Sequence, residues 1–281
     1  MQFFKIRSYA KINLALNVIG KKSLLHKIES IIAFIDLHDD IFIKKVKSEK
    51  HKILFEGKFS KNINKNNTIS RLLEILENKK KLKNKKFEIR VIKKIPNEAG
   101  LGGGSMNAAT ILKYFLKKKI IKIKKKEIKE VTNTIGSDVI LGLNPKSSIL
   151  TSKNEIKVFN YKNKIYTLIT KPNFGCSTKS IYSRVKKFDK PKLNRPNKSM
   201  FSINNLKKMN NSLETIAFSK YPKLKKIKLE LEKSSKVEFV RMTGSGSAIV
   251  AYFQSKRSCE LAKKKFNKQY KNYWCITSKT I

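Results

Sequence analysis

Four of the chain's eleven glycines fall within five positions, in the run Pro96-Asn97-Glu98-Ala99-Gly100-Leu101-Gly102-Gly103-Gly104-Ser105-Met106-Asn107-Ala108-Ala109. Without Cβ atoms, such a stretch lets backbone N–H groups converge and lets a ligand approach the main chain closely. Its flanks restrict the fold further. Phe87-Glu88-Ile89-Arg90-Val91-Ile92 alternates as a half-buried strand does, and Pro96 stops it. Beyond the glycines, Ala108, Ile111, Leu112, Phe115 and Leu116 recur at the spacing of one buried helical face, with Ser105 placed as the N-cap. The order strand, glycine loop, helix N-terminus leaves unpaired N–H donors and a partial positive charge facing the loop, which favours an anion such as phosphate. A flexible connector or a C-cap turn is the plain alternative.

The loop matches neither of the two commonest phosphate motifs. A Walker A loop requires Gly-x-x-x-x-Gly-Lys-Ser/Thr, and no lysine follows these glycines. In a dinucleotide fingerprint, counting from Gly100 or Gly102, Ser105 or Asn107 stands where the last glycine should be.

With 281 residues, 40% of them apolar, the chain is long enough for one large or two ordinary domains and a substantial core. A formal net charge of +45 raises the possibility of a nucleic-acid or membrane partner. The lysines, however, are spread along the whole chain, and Gly, Pro and Trp are scarce. That pattern reads as a compositional bias; a dedicated binder concentrates its charge and interleaves aromatics for stacking. Cys176, Cys259 and Cys275 form neither a metal pair nor a disulfide framework and read as reduced thiols of a cytoplasmic protein. The N-terminus lacks the apolar region of a signal peptide, and Ile31–Leu37 is too short to span a bilayer.

Along the chain, Ser8 to Val18 alternates, which buries Ala10, Ile12, Leu14, Leu16 and Val18 and puts Lys11 and Asn13 side by side on the opposite face, where a lone lysine is usually solvated and matters only with an anion nearby. A turn at Gly20–Ser23 leads towards His26 and a strand at Ile31–Leu37, which Asp39-Asp40 closes before a further strand at Ile41–Ile43. Ile53–Phe55 reads as a short strand, Thr68–Leu76 as a helix, Lys79–Lys86 as a solvated linker, and Lys125–Thr134 as a second helix after the loop. In Ile135-Gly136-Ser137-Asp138-Val139, Asp138 is either a helix cap or a catalytic carboxylate. From about Thr151 the texture changes to short strands and polar connectors as far as Asn211. Two strands then flank Thr243-Gly244-Ser245-Gly246-Ser247, a helix covers Lys256–Phe266, and a strand ends the chain at Trp274–Ile276.

Ala10-Lys11-Ile12-Asn13-Leu14, the glycine loop, Gly136-Ser137-Asp138-Val139 and Arg241-Met242-Thr243-Gly244-Ser245-Gly246, in this order, resemble the GHMP kinase superfamily of small-molecule kinases. The resemblance implies a two-domain α+β fold, with a ribosomal-protein-like ATP-binding domain over residues 1–150 and an α/β-sandwich substrate domain over 151–281. It implies ATP as co-substrate with Mg²⁺, whose ligands it does not assign, and a cytidylated sugar alcohol of isoprenoid precursor biosynthesis as acceptor. Carried over, Pro96, Asn97, Glu98, Ala99, Gly100, Leu101, Gly102, Gly103, Gly104, Ser105 and Met106 form the ATP loop. Asp138 is the base and Lys11 the orienting cation, while Asn13, His26, Tyr182, Thr243 and Gly244 contact the substrate, Tyr182 by stacking on the cytosine. Leu25 stands where the family has an aromatic, Met106 where it has a serine, and Ile140 where it has a proline. The expected protein is cytoplasmic, a monomer or weak homodimer, and binds no membrane and no specific nucleic acid. A kinase for another small alcohol, or a basic RNA- or ribosome-binding protein, are the rival readings.

Overall fold

The computed structural model of the chain describes residues 2–23, 25–161 and 163–281. Two compact units share them: Met1–Ala10, Leu37–Asn97 and Gly102–Pro145 make the first, and Lys11–Asp36, Glu98–Leu101 and Lys146–Ile281 the second. Strands β1 (Phe4–Lys22) and β2 (Leu25–Val46) pair with each other and contribute residues to both. Neither ends where alternation alone would end it. Asp39 and Asp40, expected to close a strand, lie inside β2, where Lys93 and the N–H groups of Lys94 and Ile95 bond the Asp39 carboxylate and Lys94 pairs with Asp40 Oδ2. Lys11, which as a lone strand lysine would usually be solvated, is buried on the opposite face of β1: Lys11 and Asn13 are each 4% exposed. Their polar atoms are satisfied internally, which removes the main cost of burying them.

In the first unit, β3 (Lys52–Glu56) runs parallel to β4 (Lys86–Ile92), which pairs antiparallel with β2 from Asp40 opposite Ile92 to Val46 opposite Lys86. Helices α1 (Thr68–Asn78), α2 (Gly103–Lys117) and α3 (Lys125–Ile135) supply apolar faces to the core, where Leu72, Leu76, Phe87, Ile89, Leu112 and Phe115 are buried. Each such side chain contributes about 1.5–3 kcal/mol relative to exposure. A reciprocal cap starts α1: Asn67 accepts from the Ser70 N–H, and Ser70 Oγ from the Asn67 N–H. Lys79–Lys86 is no solvated linker. Leu82 is buried within it, and Lys81 and Lys86 pair with Glu127 and Glu77, which relieves the like-charge repulsion that argued for extension. The four-residue helix α4 (Val139–Gly142) follows, packed so closely that a Cβ on Gly142 would lie 2.6 Å from that of Ala109.

In the second unit, β5 (Ser148–Leu150) lies antiparallel between Ser30–Ile32 of β2 and β6 (Ile156–Val158). A separate antiparallel sheet contains β7 (Tyr166–Lys171), β8 (Phe239–Met242), β9 (Ile249–Phe253) and β10 (Trp274–Lys279), in the order β10-β7-β9-β8. The region expected to hold strands and polar connectors up to Asn211 also carries helices α5 (Thr178–Tyr182) and α6 (Ile203–Lys207), started by Ser177 and Ser202 as N-caps. Five residues are too few to show a 3.6-residue period, so only the caps could have announced them. Helices α7 (Leu213–Lys220), α8 (Pro222–Glu232) and α9 (Lys256–Gln269) complete the unit, with Leu224, Ile227, Leu231 and Phe266 in its core. No helix among the described residues is long and apolar enough to cross a membrane.

Candidate active site

The helix after the glycine loop starts earlier than its polar residues suggest. Gly102, with φ 70° and ψ 12°, is the N-cap of α2, and Ser105 falls on the helix's first turn. A left-handed cap is natural for glycine and strained for most other residues. Gly103 is closely packed: a Cβ there would meet Ile95 Cγ2 at 3.0 Å and Lys93 Nζ at 3.2 Å, so those side chains would have to give way by a few tenths of an ångström. Thr68 Oγ1 donates to the Gly104 carbonyl at 2.7 Å and fixes the first turn from α1. The leading N–H groups of α2 have no intrahelical acceptors, as at any helix start.

The centre of the loop, Glu98–Leu101, belongs to the second unit and is bonded there carbonyl by carbonyl. Glu98 O accepts from Ser247 N at 3.1 Å and Cys176 N at 3.2 Å, Ala99 O from Ala248 N at 3.2 Å, and Leu101 O from Lys11 N at 3.1 Å. Gly100 O accepts from Thr243 Oγ1 at 3.2 Å. The two glycine-hydroxyl loops therefore touch: a Cβ on Gly244, whose φ is +54°, would lie 3.2 Å from Gly100 Cα.

Thr243 also ties this pair of loops to β1. Its Oγ1 accepts from Asn13 N at 3.0 Å, Asn13 Nδ2 donates to Ser30 Oγ at 2.8 Å, and Lys11 Nζ donates to Asn13 Oδ1 at 2.6 Å. Lys11, Asn13, Gly100, Thr243 and Gly244 thus form one bonded cluster. His26 and Tyr182 are neighbours in the same unit, with ring centroids 5.2 Å apart, and Phe188 lies 6.5 Å from His26. Burial and the positive charge of Lys21 hold the His26 imidazole below its ordinary range. Leu25 is 77% exposed. Asp138 belongs to the first unit, at the N-cap position of α4, where its side chain makes no capping bond. Pro96 and Asn97, the start of the loop, also belong to the first unit, and Asn97 Nδ2 donates to Phe59 O at 3.0 Å. Met106 is buried beneath the start of α2.

Two supports of these segments were not legible as such. Arg241, 4% exposed, spreads its guanidinium over the carbonyls of Leu14, Leu206 and Met209 and so braces β1 beside the second loop. Asp39, fully buried, binds the backbone just ahead of the glycine loop. The only sequence signal for Asp39 was a carboxylate pair inside an otherwise apolar stretch. A cleft of about 430 Å³ in the second unit is lined by Lys207, Glu214, Lys228, Glu238 and Arg241 among others. Its charges pair internally, Lys207 with Glu238 at 2.5 Å and Lys228 with Glu214 at 2.7 Å, so it offers an anion little surplus charge.

Comparison with known proteins shows the family. The model of the GHMP kinases N terminal domain matches residues 67–145, and that of the GHMP kinases C terminal matches 186–272. The chain is 58% identical over all 281 residues to a 4-diphosphocytidyl-2-C-methyl-D-erythritol kinase of Pelagibacter ubique, covering 100% of both chains. It is 34% identical to the enzyme of that name from Petrotoga mobilis, over 87% of this chain and 96% of the other. Its fold matches a crystal structure of 4-(cytidine 5'-diphospho)-2C-methyl-D-erythritol kinase with a TM-score of 0.78 at 22% identity, covering 98% and 99% of the two chains. It also matches L. major mevalonate kinase in complex with R-mevalonate, at a TM-score of 0.73 and 12% identity over 99% and 95%. With both family halves matched in order and more than half of all residues shared with a full-length relative, the chain belongs to the GHMP kinases, in the family of 4-diphosphocytidyl-2-C-methyl-D-erythritol kinases.

Proposed function

We propose that this kinase transfers the γ-phosphate of ATP to the 2-hydroxyl of 4-diphosphocytidyl-2-C-methyl-D-erythritol, with residues 96–106 as the ATP loop. The observation that carries the reading is the bonding of that loop. The carbonyls of Glu98, Ala99, Gly100 and Leu101 are all occupied by protein donors, which favours presenting backbone N–H groups, and the first turn of α2, to an anion. Asp138 accepts the proton of the attacking hydroxyl, and Lys11 orients that hydroxyl and stabilises developing negative charge. Asn13 contacts the sugar alcohol, His26 and Tyr182 receive the cytosine, and Thr243 and Gly244 border the phosphates. Phosphoryl transfer needs positioning and charge stabilisation more than covalent help, so this inventory suffices.

Magnesium fits as a companion of the nucleotide. Among the described residues no group of three His, Cys, Asp or Glu side chains could hold a metal alone, which suits an ion held largely by phosphate oxygens and water. Ser105, on the first turn of α2, is the hydroxyl we assign to it; the ion would neutralise phosphate charge during transfer. The functional domains divide near residue 150, a division supported by family matches at 67–145 and 186–272. The enzyme is expected to work in the cytoplasm, as a monomer or weak homodimer, with a small-molecule acceptor and no specific nucleic acid.

Coupled measurement of ADP release tests the reading. ADP should appear only when the cytidylated alcohol is present. Equal release with mevalonate or homoserine would reassign the acceptor, and steeply salt-dependent RNA binding without turnover would overturn the catalytic reading.

A further inference from the structure

We propose that Asp39 is a positioning residue for the phosphate loop: one buried carboxylate fixes the chain segments leading into and out of the loop. The proposal rests on the reading of residues 96–106 as the ATP site. Asp39 lies in the middle of β2 with no exposed surface. Its Oδ1 accepts from Lys94 N at 2.7 Å and Ile95 N at 2.9 Å, the last two N–H groups before Pro96. Its Oδ2 accepts from Asn107 Nδ2 at 3.0 Å, on α2 just past the loop, and from Lys93 Nζ. The entering strand end and the departing helix are thus pinned to one side chain.

Two further features show that the arrangement is specific. Asn107 is 1% exposed, and its Oδ1 has no hydrogen-bond partner among the described residues. Flipping the amide would set that oxygen against the carboxylate, so Asp39 dictates the orientation of Asn107 even though an acceptor is left unsatisfied. Lys93, 3% exposed, places its ammonium 3.2 Å from where a Cβ of Gly103 would be, beside the first turn of α2. A cation at a helix N-terminus opposes the helix dipole, and Asp39 is the carboxylate that holds it there. The carboxylate therefore sets where the loop's ends lie and keeps a positive charge at the end of the helix assigned to phosphate.

The test uses the full-length enzyme and four variants: Asp39→Asn, Asp39→Asn/Lys93→Met, Asn107→Ala and Gly102→Val. Thermal unfolding, MgATP binding, and separate KM values for ATP and the cytidylated alcohol are measured. Asp39→Asn should raise the KM for ATP at least tenfold while the KM for the alcohol stays within twofold. Asn107→Ala should raise the KM for ATP several-fold. The double variant removes the stranded ammonium and should recover most of the lost Tm, with the KM for ATP still elevated. If the double variant recovers both, or if neither Asp39→Asn nor Asn107→Ala alters the KM for ATP, Asp39 is only a counter-ion and the proposal fails. Gly102→Val separates the two readings. Loss of MgATP binding there, with Asp39 variants behaving as wild type, sinks the positioning role alone; unchanged MgATP binding there sinks the loop assignment and the proposal with it.

Discussion

Replacing Gly100 by alanine tests how the glycine loop is held. At φ +73° the residue is left-handed, a conformation that costs an alanine about 1–2 kcal/mol. The new Cβ would overlap the Thr243 carbonyl oxygen, lie 2.8 Å from the Thr243 carbonyl carbon and approach Gly246 N to 3.3 Å. All three are backbone atoms, so no rotamer change relieves the clash. Moving the Thr243 carbonyl breaks its bond from Gly246 N at 3.0 Å and the bond from Thr243 Oγ1 to Gly100 O at 3.2 Å. At about 0.5–1.5 kcal/mol each, these bring the total to about 2–5 kcal/mol. For a chain of this size that is a fall in Tm of about 3–8 °C. Because the strain falls inside the loop, the KM for ATP should rise with it. Differential scanning fluorimetry and coupled kinetics, with Gly20→Ala as control, give the answer. A Cβ at Gly20 meets nothing nearer than Lys27 side-chain atoms at 4.0 Å, so the control should stay within about 0.5 kcal/mol of wild type. A Gly100→Ala enzyme with unchanged Tm and unchanged KM for ATP would refute the contact between the two glycine loops.

Other expectations concern the proposed base, a buried imidazole and the thiols. Asp138→Asn should lower kcat at least about a hundredfold while MgATP binding stays within a few-fold, and near-normal turnover would remove Asp138 from the mechanism. Burial holds the His51 imidazole below its ordinary range despite the opposing pull of Glu77, and its Nδ1 accepts from Phe87 N at 3.0 Å. The folded pKa therefore lies below the unfolded value of about 6.5. The stability contributed by neutral His51 is complete above that value and is lost as pH falls from it through the folded pKa. A His51 resonance titrating at or above 6.5 by NMR would contradict this. Burial pushes the Cys176 thiol up to about 11 and those of Cys259 and Cys275 up to about 12. Iodoacetamide at pH 8 should label all three rapidly only after unfolding; rapid labelling of Cys176 or Cys259 in the native enzyme would count against their burial.

Some of this molecule was written in local order. The alternation of Phe87–Ile92, the glycine density of 100–104 and the helical spacing of Ala108–Leu116 each need only neighbouring residues, and strand, loop and helix appear where those patterns place them. The capping residue did not follow: the helix starts right after a left-handed Gly102, which makes no side-chain cap bond, and Ser105 lies inside its first turn. The buried polar residues were equally misleading. Lys11 read as solvated because side-chain alternation reports only that two faces differ. Whether the polar face meets water depends on Thr243 and Ser30, 230 and 17 residues away from Asn13.

The sequence by itself determined the family and the order of the four motifs, since these lie in contiguous residue types. Only the tertiary structure decided that Asp39-Asp40 continues a strand, that Arg241 braces a carbonyl of β1, and that the two glycine loops lie in backbone contact. A charge can be buried only where distant donors converge on it, and that convergence is a property of the folded chain that no local pattern carries.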